Sequence, residues 1–151
     1  MTQVFLATLV SDEDGFLVTF EDVPEAITCG KDEAEALASA REALGLALRG
    51  RVRSGDPMPS PIARSGVPVA TAVFDTLKLA TIAAFNEAGI SKTELALLLG
   101  KQETEARRIL DPMHWTKVQT LEEALTVLGK SVAVEISDIG RDRSTRTGRA
   151  V

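Results

Sequence analysis

Residues 2–10, TQVFLATLV, are apolar and β-branched in both alternating registers, the pattern of a central strand. SDEDG at 11–15 interrupts it, and Asp14-Gly15 is a strong hairpin signal. Phe16, Val18 and Phe20 then alternate with Leu17, Thr19 and Glu21, which predicts a second strand. Asp22, Pro24 and Glu25 break that strand, and Ala26 to Cys29 read as a short third one before Gly30. From Asp32 the period lengthens. Asp32 suits an N-cap, with Glu35 three residues on as in a capping box. Leu37, Ala40, Leu44, Ala47 and Leu48 fall on one helical stripe, with Glu33, Arg41 and Arg49 away from it. This helix is expected to stop near Gly50.

Residues 50–68 hold four of the six prolines and three of the eleven glycines, so no helix is expected to persist there. A linker and an ordered proline-rich loop are both open readings. VPVATAVF at 67–74 is β-branched enough for a strand that returns to the sheet. Leu77, Ala80, Ala84 and Ala88 then recur at near-helical spacing over 76–88, widened by Leu79, Ile82 and Phe85, and Gly89 ends that helix. Ser91-Lys92-Thr93-Glu94 is a second capping-box pattern and opens a short helix to Leu99. Residues 102–110 predict another, closed by Asp111-Pro112. Thr120 is placed to cap a last helix, Leu121 to Leu128, ended by Gly129. Val132, Val134 and Ile136 alternate with Ala133 and Glu135, the period of a short strand. The polar tail over 138–151 is expected to be flexible.

The decisive stretch is LALLLGKQETEARRIL, Leu95 to Leu110. A single helix through Gly100 costs about 1 kcal/mol relative to alanine. Two helices hinged at Gly100 use that glycine where a turn needs positive φ. Ala96 then supplies a small crossing site, Leu95 and Leu99 the inner face of the first helix, and Ala106 and Ile109 that of the second. The pattern favours this helix-turn-helix. One departure is Lys101, where such a turn more often carries an apolar residue; its stem can lie along the core while the ammonium reaches water. The second helix would present Gln102, Glu103, Thr104 and Arg107 to a DNA major groove. Arg107 suits a bidentate pair with guanine, Gln102 adenine, Glu103 the cytosine amino group, and Thr104 a thymine methyl or a phosphate. Lys101, Arg108 and Lys117 suit phosphates. Glu103 and Glu105 also sit where a helix N-terminus stabilises acids, and spacing does not separate that use from base reading.

Composition adjusts this picture at three points. A hydrophobic fraction of 44% with no tyrosine predicts a core of Leu, Val, Ile and Ala. No run of 18 apolar residues suggests a membrane span, the N-terminus does not read as a signal peptide, and Cys29 as the lone cysteine permits no internal disulfide, so a cytoplasmic location is the default. The net charge of −5 argues against nucleic acid as partner, but residues 1–50 hold ten acids and three bases, whereas 51–151 hold twelve acids and fourteen bases. An acidic front and a mildly basic rear suggest two modules with different partners.

Catalytic chemistry finds little support. Asp12, Glu13, Asp14 and Asp22 read better as solvated turn residues than as a metal-binding carboxylate cluster. His114 reads as a packing or turn group. Cys29 reads as a core-sized residue with no His–Asp set beside it. No zinc spacing, phosphate loop or dinucleotide fingerprint appears, so no enzyme, cofactor or metal is expected.

GFLVTFEDVPEAITCGKDEAEALASAREALGLAL, followed by DPMPSPIA, resembles HicB antitoxins. The rear stretch ARRILDPMHWTKVQTLEEALTVLGKSVAVEI resembles the end of the helix-turn-helix domain of one branch of that family. Together they cover roughly residues 3–137. Glu25-Ala26-Ile27 departs from the Gly-Cys-like pair often found there. The resemblance implies an α+β protein: a small N-terminal antiparallel sheet with a packed helix (a reduced RNase H-like fold without that activity), then an all-α helix-turn-helix domain and a short C-terminal strand. The division expected is 1–75 for binding a HicA-like, RNA-cleaving toxin, 76–137 for binding operator DNA, and 138–151 as tail. It implies an antitoxin that blocks its toxin and represses its own operon. The acidic front suits a basic partner. A homodimer or higher homo-oligomer is expected, since paired half-sites double the readout. A stand-alone repressor whose front domain senses another ligand or protein is the alternative.

Overall fold

The structure, a computed structural model, describes residues 3–136 and 138. Its elements run β1 (Val4–Asp12), β2 (Gly15–Phe20), β3 (Thr28–Gly30), α1 (Glu33–Ser54), β4 (Val67–Ala70), α2 (Val73–Ala88), α3 (Lys92–Leu99), α4 (Glu103–Leu110) and α5 (Val118–Val127). The α+β class expected from the sequence holds. The four strands form one antiparallel sheet in the order β3-β2-β1-β4. The β1–β2 hairpin closes on Glu13 and Asp14, with Asp12 opposite Gly15. The segment after Gly66 does return to the sheet, pairing with β1 from Val4↔Ala70 to Ala7↔Val67.

One face of the sheet packs on α1. Phe5, Ala7, Val18, Phe20 and Val69 meet Ala36, Ala40, Leu44 and Leu48 there. Burying such side chains contributes about 25 cal/mol per Å² of apolar surface, the main term holding helix to sheet. The other face carries Val10, Leu17 and Cys29, all exposed. β1 is a central strand as expected, and α1 covers one of its faces. One expectation is corrected here. Cys29 is not a core residue, since the strand period places it opposite Leu17 on the outer face.

Asp32 caps α1 as expected, accepting the Glu35 N–H at 2.8 Å. The helix does not stop at Gly50 but continues to Ser54 and ends at Gly55 in the left-handed region, φ 74°. Gly50 faces open space, so it costs only its propensity, about 1 kcal/mol. That cost is offset just beyond it: Arg51 pairs with Glu25, and Val52 packs against the core. The proline-rich segment that follows is tied down. Arg51 Nη1 donates to the Pro57 carbonyl, and the Ile62 and Ala63 amides donate to Asp22 Oδ2 at 3.1 and 3.0 Å.

α2 starts at Val73, earlier than its apolar period suggested, and it faces two cores. Leu79 joins the sheet–α1 core, while Leu77 and Ala84 pack with Ile109, Leu121, Ala124 and Leu125 of α4 and α5. A third cluster, Leu95, Ala96 and Ala106, joins α3 to α4. α5 begins at Val118 rather than after Thr120, because the Lys117 carbonyl already accepts the Leu121 N–H at 3.1 Å; Thr120 lies inside the helix. The strand expected at Val132–Ile136 does not form. The segment is without regular structure and Ile136 is 92% exposed, as follows when a strand finds no neighbour to pair with among the described residues. The tail over 138–151 lies outside the described residues apart from Asp138.

Candidate nucleic-acid interface

The backbone at Gly100 decides between one helix and two. Gly100 has φ 64°, and α3 ends on it: its N–H donates to the Leu97 carbonyl at 3.2 Å and the Lys101 N–H to Ala96 at 2.9 Å. A Cβ at Gly100 would meet nothing within 4 Å, so the left-handed turn, not crowding, selects glycine. At the other end of α3, Ser91 and Glu94 form both bonds of the capping box. α3 and α4 are therefore two short helices, and α3 is started and stopped by its own sequence.

α4 buries Ala106 and Ile109. At about 100° per residue, the direction opposite that pair is Thr104, with Arg107 and Arg108 on either side of it. Thr104, Arg107 and Arg108 are indeed exposed. Gln102 occupies the N-cap, forms no side-chain cap and is exposed. Glu103 behaves differently. Its Oε1 accepts from Arg107 Nη2 at 2.7 Å and from Nε at 3.2 Å, and its Oε2 accepts the Thr93 hydroxyl at 3.0 Å. The Arg107 guanidinium, with the Thr93 hydroxyl, holds the Glu103 carboxyl below the usual carboxylate range. Glu103 thus ties Arg107 to Thr93 and restrains the guanidinium.

The remaining cations expected at the site separate onto two flanks. Lys101, Arg108 and Lys117 line one cleft, together with Glu105, His114 and Trp115. Arg107 lines a hollow on the other side with Arg53 and Lys92. The carboxylates weighed as metal ligands have turn duties: Asp12 Oδ1 accepts the Asp14 N–H at 2.9 Å, and Asp22 holds the proline-rich segment.

Sequence reasoning missed the group that fixes α4. Lys78 on α2 is fully buried, and its ammonium donates to the Arg108 carbonyl at 3.2 Å, the Ile109 carbonyl at 2.8 Å and Thr116 Oγ1 at 2.7 Å. A cation here satisfies the unpaired carbonyls of a helix C-terminus and complements its dipole. Burial pushes its pKa down to about 8. A lysine inside the apolar run LKLATIAAF was the available signal. Arg49, expected on the outer face of α1, instead turns toward α2. Its Nε donates to Asp75 Oδ1 at 2.7 Å, its Nη1 donates to the Pro112 carbonyl at 3.1 Å, and its guanidinium lies 5.5 Å from the centre of the Phe74 ring. Asp75 sits against Gly45, where any Cβ would overlap its carboxylate.

Comparison with known proteins adds a second line of evidence. Residues 4–80 match the family described as the HicB-like antitoxin of bacterial toxin–antitoxin systems. The chain is similar to Antitoxin HicB 2 of Photorhabdus laumondii, at 35% identity over 119 residues, covering 79% of this chain and 86% of that protein. It is also similar to Antitoxin HicB of Escherichia coli K12, at 32% over 124 residues, covering 81% and 90%. Antitoxin HicB 1 of Photorhabdus laumondii is 32% identical over 127 residues, covering 83% and 81%.

Proposed function

We propose, because this chain belongs to the HicB-like antitoxin family, that it neutralises a HicA-like RNA-cleaving toxin and represses its own operon. Residues 1–75 carry the toxin-binding role and 76–137 the operator-binding role, with α3 and α4 as a helix-turn-helix. Family membership over most of the chain supports the first part. The observation that carries the second is the outward face of α4. It is short, started next to an unoccupied N-cap side chain, exposed at Gln102, Thr104 and Arg107, and flanked on both sides by cations. Such a face suits a major groove, with base edges read by Gln102, Thr104 and Arg107 and phosphates met by Lys101, Arg108 and Lys117. The excess of acids over bases in residues 1–50 favours a basic protein partner.

The test is purification of the native protein from its own cells, scored for two companions. A small basic protein and promoter DNA should both come down with it. Recovery of the toxin without DNA would remove the repressor role, and recovery of DNA alone would leave a repressor that is not an antitoxin.

A further inference from the structure

We infer that Trp115 and the cations around it form a clamp for one sugar–phosphate strand of the operator, on the Arg108 flank of α4. This rests on the DNA-reading role proposed above and extends it to a residue outside the helix. An α-helix with its side chains is about 10–12 Å across, and the major groove is about 12 Å wide. A helix that enters the groove on its Thr104 side must therefore bring each flank against one backbone. The flank beside Arg108 is a cleft of about 400 Å³ lined by Lys101, Glu105, Arg108, His114, Trp115 and Lys117.

Its charge and shape suit a phosphodiester strand. Lys101, Arg108 and Lys117 make no ion pair within 4 Å among the described residues, so three cations face one carboxylate, that of Glu105. Unpaired cations of this kind release counterions from DNA when they meet phosphates. Trp115 is 67% exposed in the loop directly after α4, although indole is costly to leave in water. Its ring offers an apolar face to deoxyribose and an N–H donor to a phosphate oxygen. The loop that carries it is held from below, because Lys78 binds Thr116, the next residue, and the Asp111 carboxylate accepts the Met113 N–H. The indole is thus set on a fixed base beside the cations.

Trp115 is the sole tryptophan and the chain has no tyrosine, so intrinsic emission reports on this clamp directly. The full-length protein is titrated with a duplex of the promoter upstream of its own gene, while anisotropy of a dye on the DNA measures binding independently. Emission should change in step with anisotropy and saturate with it. Trp115→Ala should weaken operator binding by roughly five- to tenfold, with Trp115→Phe recovering part of the loss. Neither should alter the salt dependence, whereas Lys117→Ala should reduce the slope of log K against log salt by about 0.9. Circular dichroism of each variant checks that the fold is intact. Emission that stays flat while anisotropy saturates overturns the clamp but leaves DNA reading standing. Emission that responds to the purified toxin and not to the promoter assigns the cleft to the protein partner and overturns it likewise. No anisotropy change at any DNA concentration removes the DNA role and the clamp together.

Discussion

The ammonium of Lys78, in the middle of α2, donates to the Ile109 carbonyl at 2.8 Å and so holds the last turn of α4 from a different helix. Lys78→Met keeps the stem and deletes the donor, leaving the buried Ile109 carbonyl, the partly buried Arg108 carbonyl and the Thr116 hydroxyl short of a partner. Relief of the buried charge returns part of that loss. The net cost is expected to be about 1–3 kcal/mol, read as a lower midpoint in urea denaturation. Amide exchange should accelerate most at the end of α4. An unchanged midpoint would mean that water replaces the ammonium without penalty.

The same residue gives a pH signature. The folded-state pKa of Lys78 is pushed down to about 8, against 10.5 in an ordinary lysine, with Arg49 nearby adding to the effect of burial and Asp111 opposing it. Between those values the unfolded chain binds more protons than the folded one. The Lys78 contribution to stability therefore rises with pH over that window, with a slope of at most about 1.4 kcal/mol per pH unit. Below about pH 8 the charged form carries its full burial cost. Subtracting the Lys78→Met curve from that of the unmodified protein isolates the effect; a flat difference from pH 8 to 10 would contradict it.

Gly45→Ala should be far more damaging than its chemistry suggests. The added methyl overlaps the Asp75 carboxylate and must displace it from Arg49, which also holds Pro112. Overpacking and a broken, largely buried ion pair together are expected to cost about 2–4 kcal/mol in thermal or urea unfolding. Gly50→Ala is the control: its Cβ meets open space, and it should stabilise by about 0.5–1 kcal/mol.

Arg107→Ala is expected to weaken binding to the operator by about 1–3 kcal/mol while leaving toxin binding intact. Glu103→Ala should act in the opposite sense on unrelated DNA. It frees Arg107 and removes a negative charge near phosphates, so affinity for unrelated duplex rises and discrimination falls by roughly threefold or more. Competition binding with both duplexes distinguishes the two. Equal effects of Glu103→Ala on both would show that Arg107 needs no restraint.

Removing residues 131–151 tests the unpaired segment after α5. Val134 and Ile136 are exposed there, and Val132 already packs against the α2–α5 core. If this segment pairs across a two-fold axis, light scattering should show a monomer after truncation, with weaker operator binding. A dimer of undiminished affinity would place the interface elsewhere.

The sequence made the alternations, caps and turns legible because they are local. Phe16, Val18 and Phe20, the Asp32 and Ser91 caps, and the Gly100 turn each follow from residues within one or two turns. What was hidden depends on distant neighbours. Gly50 is passed over because Glu25 waits for Arg51, and β1 has one wet face because a single helix covers the sheet. Val132–Ile136 has strand period but no pairing partner among the described residues. At the candidate interface, the cations were visible as residue types, but their division between two flanks required α4 to be seated on Ala106 and Ile109. Lys78, Arg49 and Asp75 were invisible as a set, since their partners lie between 26 and 63 residues away.

Lys78 grips α4 through the main-chain oxygens of Arg108 and Ile109, not through their side chains. The anchor is therefore indifferent to which residues stand at 102, 104 and 107. Those positions are free to drift without loosening the helix that presents them. If α4 reads DNA as proposed, duplicated copies of the chain could diverge at these three positions in the sequence they select while inheriting the same mount.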